Sequence, residues 1–121
     1  MKLLIVDDSK AMRMIVIRTL KAAGFQDVET LEAASGMEAI DVLANESPDL
    51  ILSDWNMPEM KGIDLLKRLR ETGNNTRLGF VTSESGAEVL KEATEAGAEF
   101  FISKPFTPEK FESTLTPFLT S

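Results

Sequence analysis

The chain contains no cysteine and no histidine, and each absence removes a class of function. Without cysteine there can be neither a disulfide framework nor a thiolate metal site. Without histidine there are no imidazole metal ligands and no histidine acid–base chemistry. Any chemistry that the protein performs must therefore use carboxylates, hydroxyls and lysine.

Basic residues and long apolar runs are also scarce. The 13 basic side chains are outnumbered by 20 acidic ones, for a net charge of −7. Such a surface repels phosphate backbones, so we expect no nucleic-acid partner. The apolar run at residues 3–6 is too short for a signal peptide or a membrane span, and two aspartates follow it. We therefore expect a cytoplasmic protein that does not enter a membrane.

The length and the apolar content fit one compact domain. The chain has 121 residues, of which 43% are hydrophobic, enough for a substantial core. We expect a single domain that spans residues 1–121.

Short apolar runs alternate five times with helical patterns. Strands are predicted at residues 3–6, 28–31, 50–52, 80–81 and 100–102. Ser9 is placed to cap the first helix, and Ser35 with Glu38 has the capping-box spacing at the second. Pro117 interrupts the last helical pattern, which either stops near Thr116 or kinks there. Repeated strand–helix units without hairpin signals predict an α/β fold, a doubly wound parallel sheet with helices on both faces.

Polar residues follow four of these strands, at the edge where such sheets bind ligands. Asp7 and Asp8 follow the first strand, Asp54 the third, Thr82 the fourth and Lys104 the fifth. Each residue alone is explained as a helix cap or a turn former. Together, three crowded carboxylates favour a hard divalent cation such as Mg²⁺, and the lysine and hydroxyl can meet phosphoryl oxygens. The set is typical of phosphoryl transfer to an oxygen nucleophile, although this chemistry does not say which aspartate is the nucleophile.

These motifs, taken in order, resemble response-regulator receiver domains. The matching segments are Val6-Asp7-Asp8-Ser9, Ser53-Asp54-Trp55-Asn56-Met57-Pro58 with Gly62, Val81-Thr82, and Lys104-Pro105-Phe106. The resemblance covers the whole chain, and the Asp-Trp-Asn-Met-Pro run is similar to the chemotaxis, CheY-like group. It implies a five-stranded sheet in the flavodoxin-like order 2-1-3-4-5 with five helices, an order that the sequence pattern alone does not provide.

The resemblance also implies the ligands of the site. Asp54 would be the phosphoacceptor. Asp8 would bind Mg²⁺ directly, Asp7 partly through water, and Asp54 and the backbone carbonyl of Asn56 would complete the protein ligands. Mn²⁺ is expected to substitute for Mg²⁺.

Further roles follow from the same resemblance. Thr82 and Lys104 would contact the phosphoryl oxygens, and the bond between Lys104 and Pro105 would be cis. Asn56 and Glu84 match the positions that tune hydrolysis in CheY-like proteins, which predicts a short-lived phosphoryl state.

The predicted switch couples Thr82 to an aromatic side chain on the fifth strand. The matching residue is Phe101, whereas CheY has a tyrosine there, so no hydroxyl contact is possible. Phe101 is explained equally well as a core residue of an apolar strand.

The implied function is that of a stand-alone response regulator in a two-component, chemotaxis phosphorelay. A phosphoryl group would pass from a phosphohistidine, on a sensor histidine kinase or a phosphotransfer protein, to Asp54. The protein is expected to be a monomeric switch that catalyses its own phosphorylation and dephosphorylation. Its face of fourth helix, fifth strand and fifth helix would bind a protein such as the flagellar motor switch. The alternatives are a receiver-like interaction module without phosphorylation, and a phosphate sink or shuttle without motor output.

Rival classes fit the residues less well. A phosphatase of the haloacid dehalogenase family wants an acid two residues after its nucleophile, where this chain has Asn56. A flavodoxin-like electron carrier would find its FMN phosphate repelled by Asp7 and Asp8. A P-loop enzyme is excluded because the chain has no Gly-x-x-x-x-Gly-Lys motif.

Two surfaces are predicted around the site. The first helix is expected to expose four basic side chains, either as a solvated face or to dock the phosphodonor: Lys10, Arg13, Arg18 and Lys21. The output face is expected to include Glu88, Lys91, Glu92, Phe101, Lys104 and the region of Pro117.

Overall fold

A computed structural model describes residues 1–84 and 86–119, in which strands and helices alternate. The strands are β1 (Lys2–Val6), β2 (Glu29–Ala33), β3 (Leu50–Ser53), β4 (Arg77–Thr82) and β5 (Phe101–Ser103). The helices are α1 (Lys10–Ala22), α2 (Gly36–Leu43), α3 (Gly62–Glu71), α4 (Ala87–Glu95) and α5 (Pro108–Leu119). Within these residues, no helix is long and apolar enough to cross a membrane.

The strands form one parallel sheet in the order β2-β1-β3-β4-β5. The predicted doubly wound α/β fold and its strand order are thereby confirmed. Every residue of β3 is buried, as is all of β1 except Lys2, which explains why their sequences are apolar throughout. The edge strand β2 has one buried residue, two partly buried ones and two exposed ones, and its strand pattern in the sequence is weaker.

The predicted bounds differ from the observed ones at every strand. β1 begins one residue earlier than predicted, β3 ends one residue later, and β5 both begins and ends one residue later. The edge strand β2 begins and ends later than the predicted residues 28–31, and β4 is longer than residues 80–81. Apolar runs mark only the most apolar stretch of a strand and not its full length. Backbone pairing continues through polar and small residues, and here it includes Arg77, Gly79 and Thr82 in β4.

Successive strand residues point to opposite faces of the sheet and build two apolar clusters. On one face, α2, α3 and α4 pack over a cluster that includes Leu4, Ile51 and Phe80. On the other face, α1 and α5 pack over a cluster that includes Leu3 and Phe111. The sheet is therefore a middle layer, and its carboxyl edge lies between the two clusters.

Local signals at the helix ends act as predicted. The Ser9 hydroxyl accepts a hydrogen bond from Met12 N, and the Ser35 hydroxyl accepts one from Glu38 N. The cap of Ser9 starts α1 directly after the two aspartates, which fixes the turn that carries them.

The helix α5 continues through Pro117 to Leu119, so it does not stop near Thr116. A proline there removes one hydrogen bond to the carbonyl of Ser113, a residue exposed to solvent. Water can satisfy that carbonyl, and Pro117 lies in the last turn, where few further helix bonds depend on it.

Candidate functional site

Three of the predicted site residues are joined by ion pairs at the carboxyl edge of the sheet. Lys104 Nζ lies 3.5 Å from Asp7 Oδ2 and 3.5 Å from Asp54 Oδ2. The three side chains are 16%, 7% and 12% exposed, respectively, so these charges are largely removed from water. Lys104 follows β5, Asp7 follows β1 and Asp54 follows β3, and the parallel sheet brings them together although 97 residues separate the first pair.

Asp8 completes a cluster of three carboxylates. Asp7, Asp8 and Asp54 each offer an oxygen, and these oxygens lie within 4.8 Å of one another. Oxygens on one octahedral Mg²⁺ stand about 3–4 Å apart, given bonds of about 2.1 Å. Any pair at the upper end of this range must therefore move closer to bind one ion, and the all-oxygen donors of the cluster are those that Mg²⁺ prefers.

Burial raises the pKa of the Asp7 carboxyl above its ordinary value, because a partly desolvated carboxylate is disfavoured. The neighbouring charge of Asp54 raises that pKa further. A hydrogen bond from Ser9 N and the ammonium of Lys104 act in the opposite direction without cancelling the rise. The cluster thus carries more negative charge than its one lysine compensates, which favours a bound cation.

Asp54 is held by its backbone and by its neighbours. Asp54 N donates to Val6 O at 2.9 Å, and Trp55 N donates to the Asp54 carboxylate at Oδ1, at 2.7 Å. Gly62 packs so closely that a Cβ at that position would lie 2.2 Å from the backbone oxygen of Asp54. The glycine of the matching motif is therefore required for α3 to approach the strand end that carries Asp54.

Thr82 and the predicted hydrolysis-tuning residues lie on the β4 side of this edge. Thr82 is fully buried, and its hydroxyl accepts a hydrogen bond from Glu84 N at 3.2 Å. Glu84 Oε1 in turn accepts from Asn56 Nδ2 at 2.7 Å. The loop after β3 and the loop after β4 are thereby linked side chain to side chain.

Phe101 packs inward against two aromatic rings. Its ring centroid lies 6.3 Å from that of Trp55 and 6.3 Å from that of Phe80, and the side chain is half-buried. This is the arrangement of a core residue. Trp55 is itself only 5% exposed, and its ring lies edge-on to Phe80 at 5.0 Å.

The prediction that α1 exposes four basic side chains was wrong for Arg13. Its side chain is 13% exposed; Nη1 donates to the backbone oxygen of Asp7 at 2.6 Å, and Nε donates to Glu32 Oε1 at 2.9 Å. Lys10, Arg18 and Lys21 are exposed as predicted. The basic residues of α1 were predicted to be exposed from their charge alone. The N-cap at Ser9 was the signal for the contact, because it puts Arg13 in the first turn of α1, close to Asp7.

The predicted output face also needs a correction. Glu88, Lys91 and Glu92 are exposed on α4, and Leu90 beside them is 50% exposed. Lys104, however, directs its ammonium to Asp7 and Asp54. The bond between Lys104 and Pro105 is cis, as the resemblance implied.

Comparison with known proteins agrees with this geometry. A family model described as the response regulator receiver domain matches residues 3–116. The chain belongs to this family. It is similar to the chemotaxis protein CheY1 of Helicobacter pylori, at 42% identity over 118 residues that cover 95% of this chain and 94% of that protein. It is 43% identical to a chemotaxis protein CheY homolog of Campylobacter jejuni, over 95% of this chain and 89% of the homolog.

A solved structure is similar to this chain in both fold and sequence. The chemotaxis protein CheY4 of Vibrio cholerae superposes with a TM-score of 0.85 at 37% identity, and the match covers 98% of each chain. The protein is therefore a CheY-like receiver domain, and receivers of this kind are signalling switches in two-component and chemotaxis pathways.

Proposed function

We propose that residues 1–121 act as one monomeric receiver domain that takes a phosphoryl group from a phosphohistidine onto Asp54. The observation that carries the proposal is the position of Lys104 Nζ, 3.5 Å from both Asp7 and Asp54. A fixed ammonium between two largely buried carboxylates is typical of a site that accepts an anionic group and stabilises its charge.

Each protein group has one task in the transfer. The Asp54 Oδ1 atom already accepts from Trp55 N, which leaves Oδ2 beside Lys104 as the attacking atom. This oxygen forms a bond to phosphorus while the bond from phosphorus to the histidine nitrogen breaks, and the imidazole leaves. The product is an acyl phosphate on Asp54. Lys104 and the Thr82 hydroxyl would meet the phosphoryl oxygens.

Asp7, Asp8 and Asp54, with the backbone carbonyl of Asn56, would hold Mg²⁺ or Mn²⁺. Their oxygen donors fit such an ion, as the spacing of the carboxylates indicates. When bound, the ion neutralises the negative charge that the carboxylates and the phosphoryl group share. Without the ion, Lys104 is the positive charge that the described residues place in ion pairs at the site.

Asn56 and Glu84 are proposed to set the lifetime of the acyl phosphate. Water attacks phosphorus, the bond between phosphorus and the Asp54 oxygen breaks, and the carboxylate returns as inorganic phosphate leaves. The hydrogen bond between the Asn56 amide and the Glu84 carboxylate supports this role, because it joins the loop that follows Asp54 to the loop that follows Thr82. A lifetime of hours would contradict the proposal.

Trp55 offers a direct test, since it is the single tryptophan and the chain has no tyrosine. Its backbone N–H binds the Asp54 carboxylate, so its emission should respond to events there. We expect a saturable change with Mg²⁺, and then a second change with acetyl phosphate that decays when the donor is removed. The second change should be absent in Asp54→Asn, and mass spectrometry should find one phosphoryl group per wild-type chain and none in the variant.

Other outcomes identify the alternatives. A Mg²⁺ response without an acetyl phosphate response calls for a phosphohistidine donor in the same assay. If neither donor gives a phosphorylated chain, the protein is an interaction module and the proposed function is wrong.

The proposed donor is a sensor histidine kinase or a histidine phosphotransfer protein, and the proposed target is a protein such as the flagellar motor switch. The chemotaxis names of the relatives support this choice, and the α4–β5–α5 face offers the exposed Leu90. Phosphorylation should strengthen binding to a motor switch protein in a titration. Equal binding in both states, with rapid return of the phosphoryl group to a histidine protein, would indicate a sink or shuttle instead.

A further inference from the structure

Arg13 reaches from α1 to the turn that carries two of the carboxylates. Its Nη1 donates to the backbone oxygen of Asp7 at 2.6 Å, while its Nε donates to Glu32 Oε1, on the edge strand β2, at 2.9 Å. Two hydrogen bonds from different nitrogens of a planar guanidinium restrict its orientation, because its N–H donors have fixed directions. Arg13 therefore ties together β2, α1 and the end of β1.

The bond to Asp7 adds the last of four constraints on that residue. Asp7 N donates to Ala33 O at 3.1 Å, Oδ1 accepts from Ser9 N at 2.9 Å, and Oδ2 lies 3.5 Å from Lys104 Nζ. Arg13 takes the backbone oxygen. With that oxygen held, rotation of the peptide between Asp7 and Asp8 is restricted, and this peptide determines where the Asp8 carboxylate points.

We propose that Arg13, aligned by Glu32, is a positioning residue that sets the turn of Asp7 and Asp8 for binding Mg²⁺. The inference rests on the proposed metal site and adds a residue that would not itself touch the ion. Groups that orient metal ligands commonly change affinity by about 10–100-fold when removed.

Whether removal of Arg13 weakens or tightens Mg²⁺ binding distinguishes a positioning role from simple electrostatic repulsion. Arg13 carries a positive charge close to a site for a cation. Removing that charge should tighten Mg²⁺ binding if charge is all that matters, since repulsion is relieved. Removing a positioning group should weaken Mg²⁺ binding despite the relieved repulsion.

The test measures the dissociation constant for Mg²⁺ from Trp55 emission, and from the rise of the unfolding midpoint with Mg²⁺, in Arg13→Met. We expect a weakening of about tenfold. The control is Arg18→Met, which removes the same charge from an exposed position on the same helix and should leave affinity unchanged or slightly tighter. Unfolding in chelator shows whether each variant is folded before metal is added.

Arg13→Lys keeps the proposal testable if Arg13→Met unfolds too easily: it keeps the positive charge but not the planar fork that holds both acceptors, so it should also weaken Mg²⁺ binding, whereas charge alone predicts no change. Where Arg13→Met is folded, a double-mutant cycle tests the alignment by Glu32. Glu32→Gln should weaken Mg²⁺ binding in the wild-type background and have no further effect in the Arg13→Met background, because it acts through the guanidinium. A direct effect of the Glu32 charge would persist in both backgrounds and would overturn the proposed alignment.

The outcomes distinguish this inference from the proposed function. If the wild-type protein shows no Mg²⁺ response, the metal site and the inference both fail. If the wild-type protein binds Mg²⁺ and Arg13→Met binds it equally or more tightly, the metal site stands and the positioning role of Arg13 is wrong.

Discussion

The two faces of the sheet bury apolar side chains, whereas its carboxyl edge buries charged ones. On the faces, side chains such as Phe80 and Phe111 are fully buried among apolar neighbours, and every contact favours folding. At the edge, carboxylates of Asp7 and Asp54 are held largely out of water beside a single ammonium. Burial of charge opposes folding unless the charge is compensated. The edge therefore destabilises the folded state, and apolar burial on the two faces offsets this.

We therefore expect truncation of a buried side chain on either face to lower the free energy of unfolding. At the edge, the free energy of unfolding should fall or rise according to whether a positive or a negative charge is removed. Three substitutions test this, each measured by urea unfolding in the presence of a chelator.

The largest effect is expected for Phe111→Ala. Phe111 is 0% exposed, and the centroid of its ring lies 4.7 Å from that of Phe106, with the two rings tilted by 39°. Removing the ring leaves a cavity between α5 and the sheet and should lower the free energy of unfolding by about 3–5 kcal/mol. Met14→Ala, at a side chain that is 43% exposed, is the control and should change little. Equal effects at the two positions would contradict the assignment of this cluster as core.

A somewhat smaller loss is expected for Lys104→Met. Methionine keeps much of the side-chain volume but removes the charge that faces Asp7 and Asp54. Leaving partly buried carboxylates unpaired should cost about 3 kcal/mol, the lower end of the range for broken buried pairs, because some solvent still reaches them. Added Mg²⁺ should restore part of the loss by replacing the missing positive charge. If stability is unchanged in chelator, the edge is better solvated than its exposure indicates.

The smallest effect, with the opposite sign, is expected for Asp7→Asn. The asparagine can still accept from Ser9 N, and Lys104 keeps Asp54 as its partner. Removing one buried negative charge should raise the free energy of unfolding near pH 7, by an amount on the order of 1 kcal/mol. The same variant should lose the stabilisation that Mg²⁺ gives the wild-type protein. A destabilised variant would show that the Asp7 charge favours folding.

The gain should depend on pH in a direction that the raised pKa of Asp7 determines. Because the folded-state pKa lies above the unfolded value, protonated Asp7 favours the folded state, and that contribution is lost as pH rises through the folded-state pKa. The advantage of Asp7→Asn should therefore be largest above that pKa and should vanish as pH falls below the ordinary aspartate value of about 4. A difference that stays constant across this range would contradict the rise.

Much of the fold was predictable because its signals are local. The apolar runs predicted β1 and β3 to within one residue because both strands lie inside the sheet, and Ser9 and Ser35 marked two helix starts. The bounds of β2 were not predictable in the same way, because an edge strand has little burial to pattern its sequence. The course of α5 through Pro117 was not predictable, because a proline near a helix end is compatible both with a stop and with a further turn.

Some features of the site were likewise predictable from the sequence, and others were not. The sequence alone determined which residue types stand at the strand ends, because a parallel sheet aligns those ends whatever the details of packing. Their chemical roles stay predictions until phosphorylation and metal binding are measured. Three features were decided only by the tertiary structure. The ammonium of Lys104 lies between two carboxylates, and burial raises the pKa of Asp7. Arg13 donates to the backbone oxygen of Asp7 instead of extending into solvent. These facts depend on distances and burial between elements far apart in the chain, and such distances exist only once the two apolar faces have packed the sheet between them.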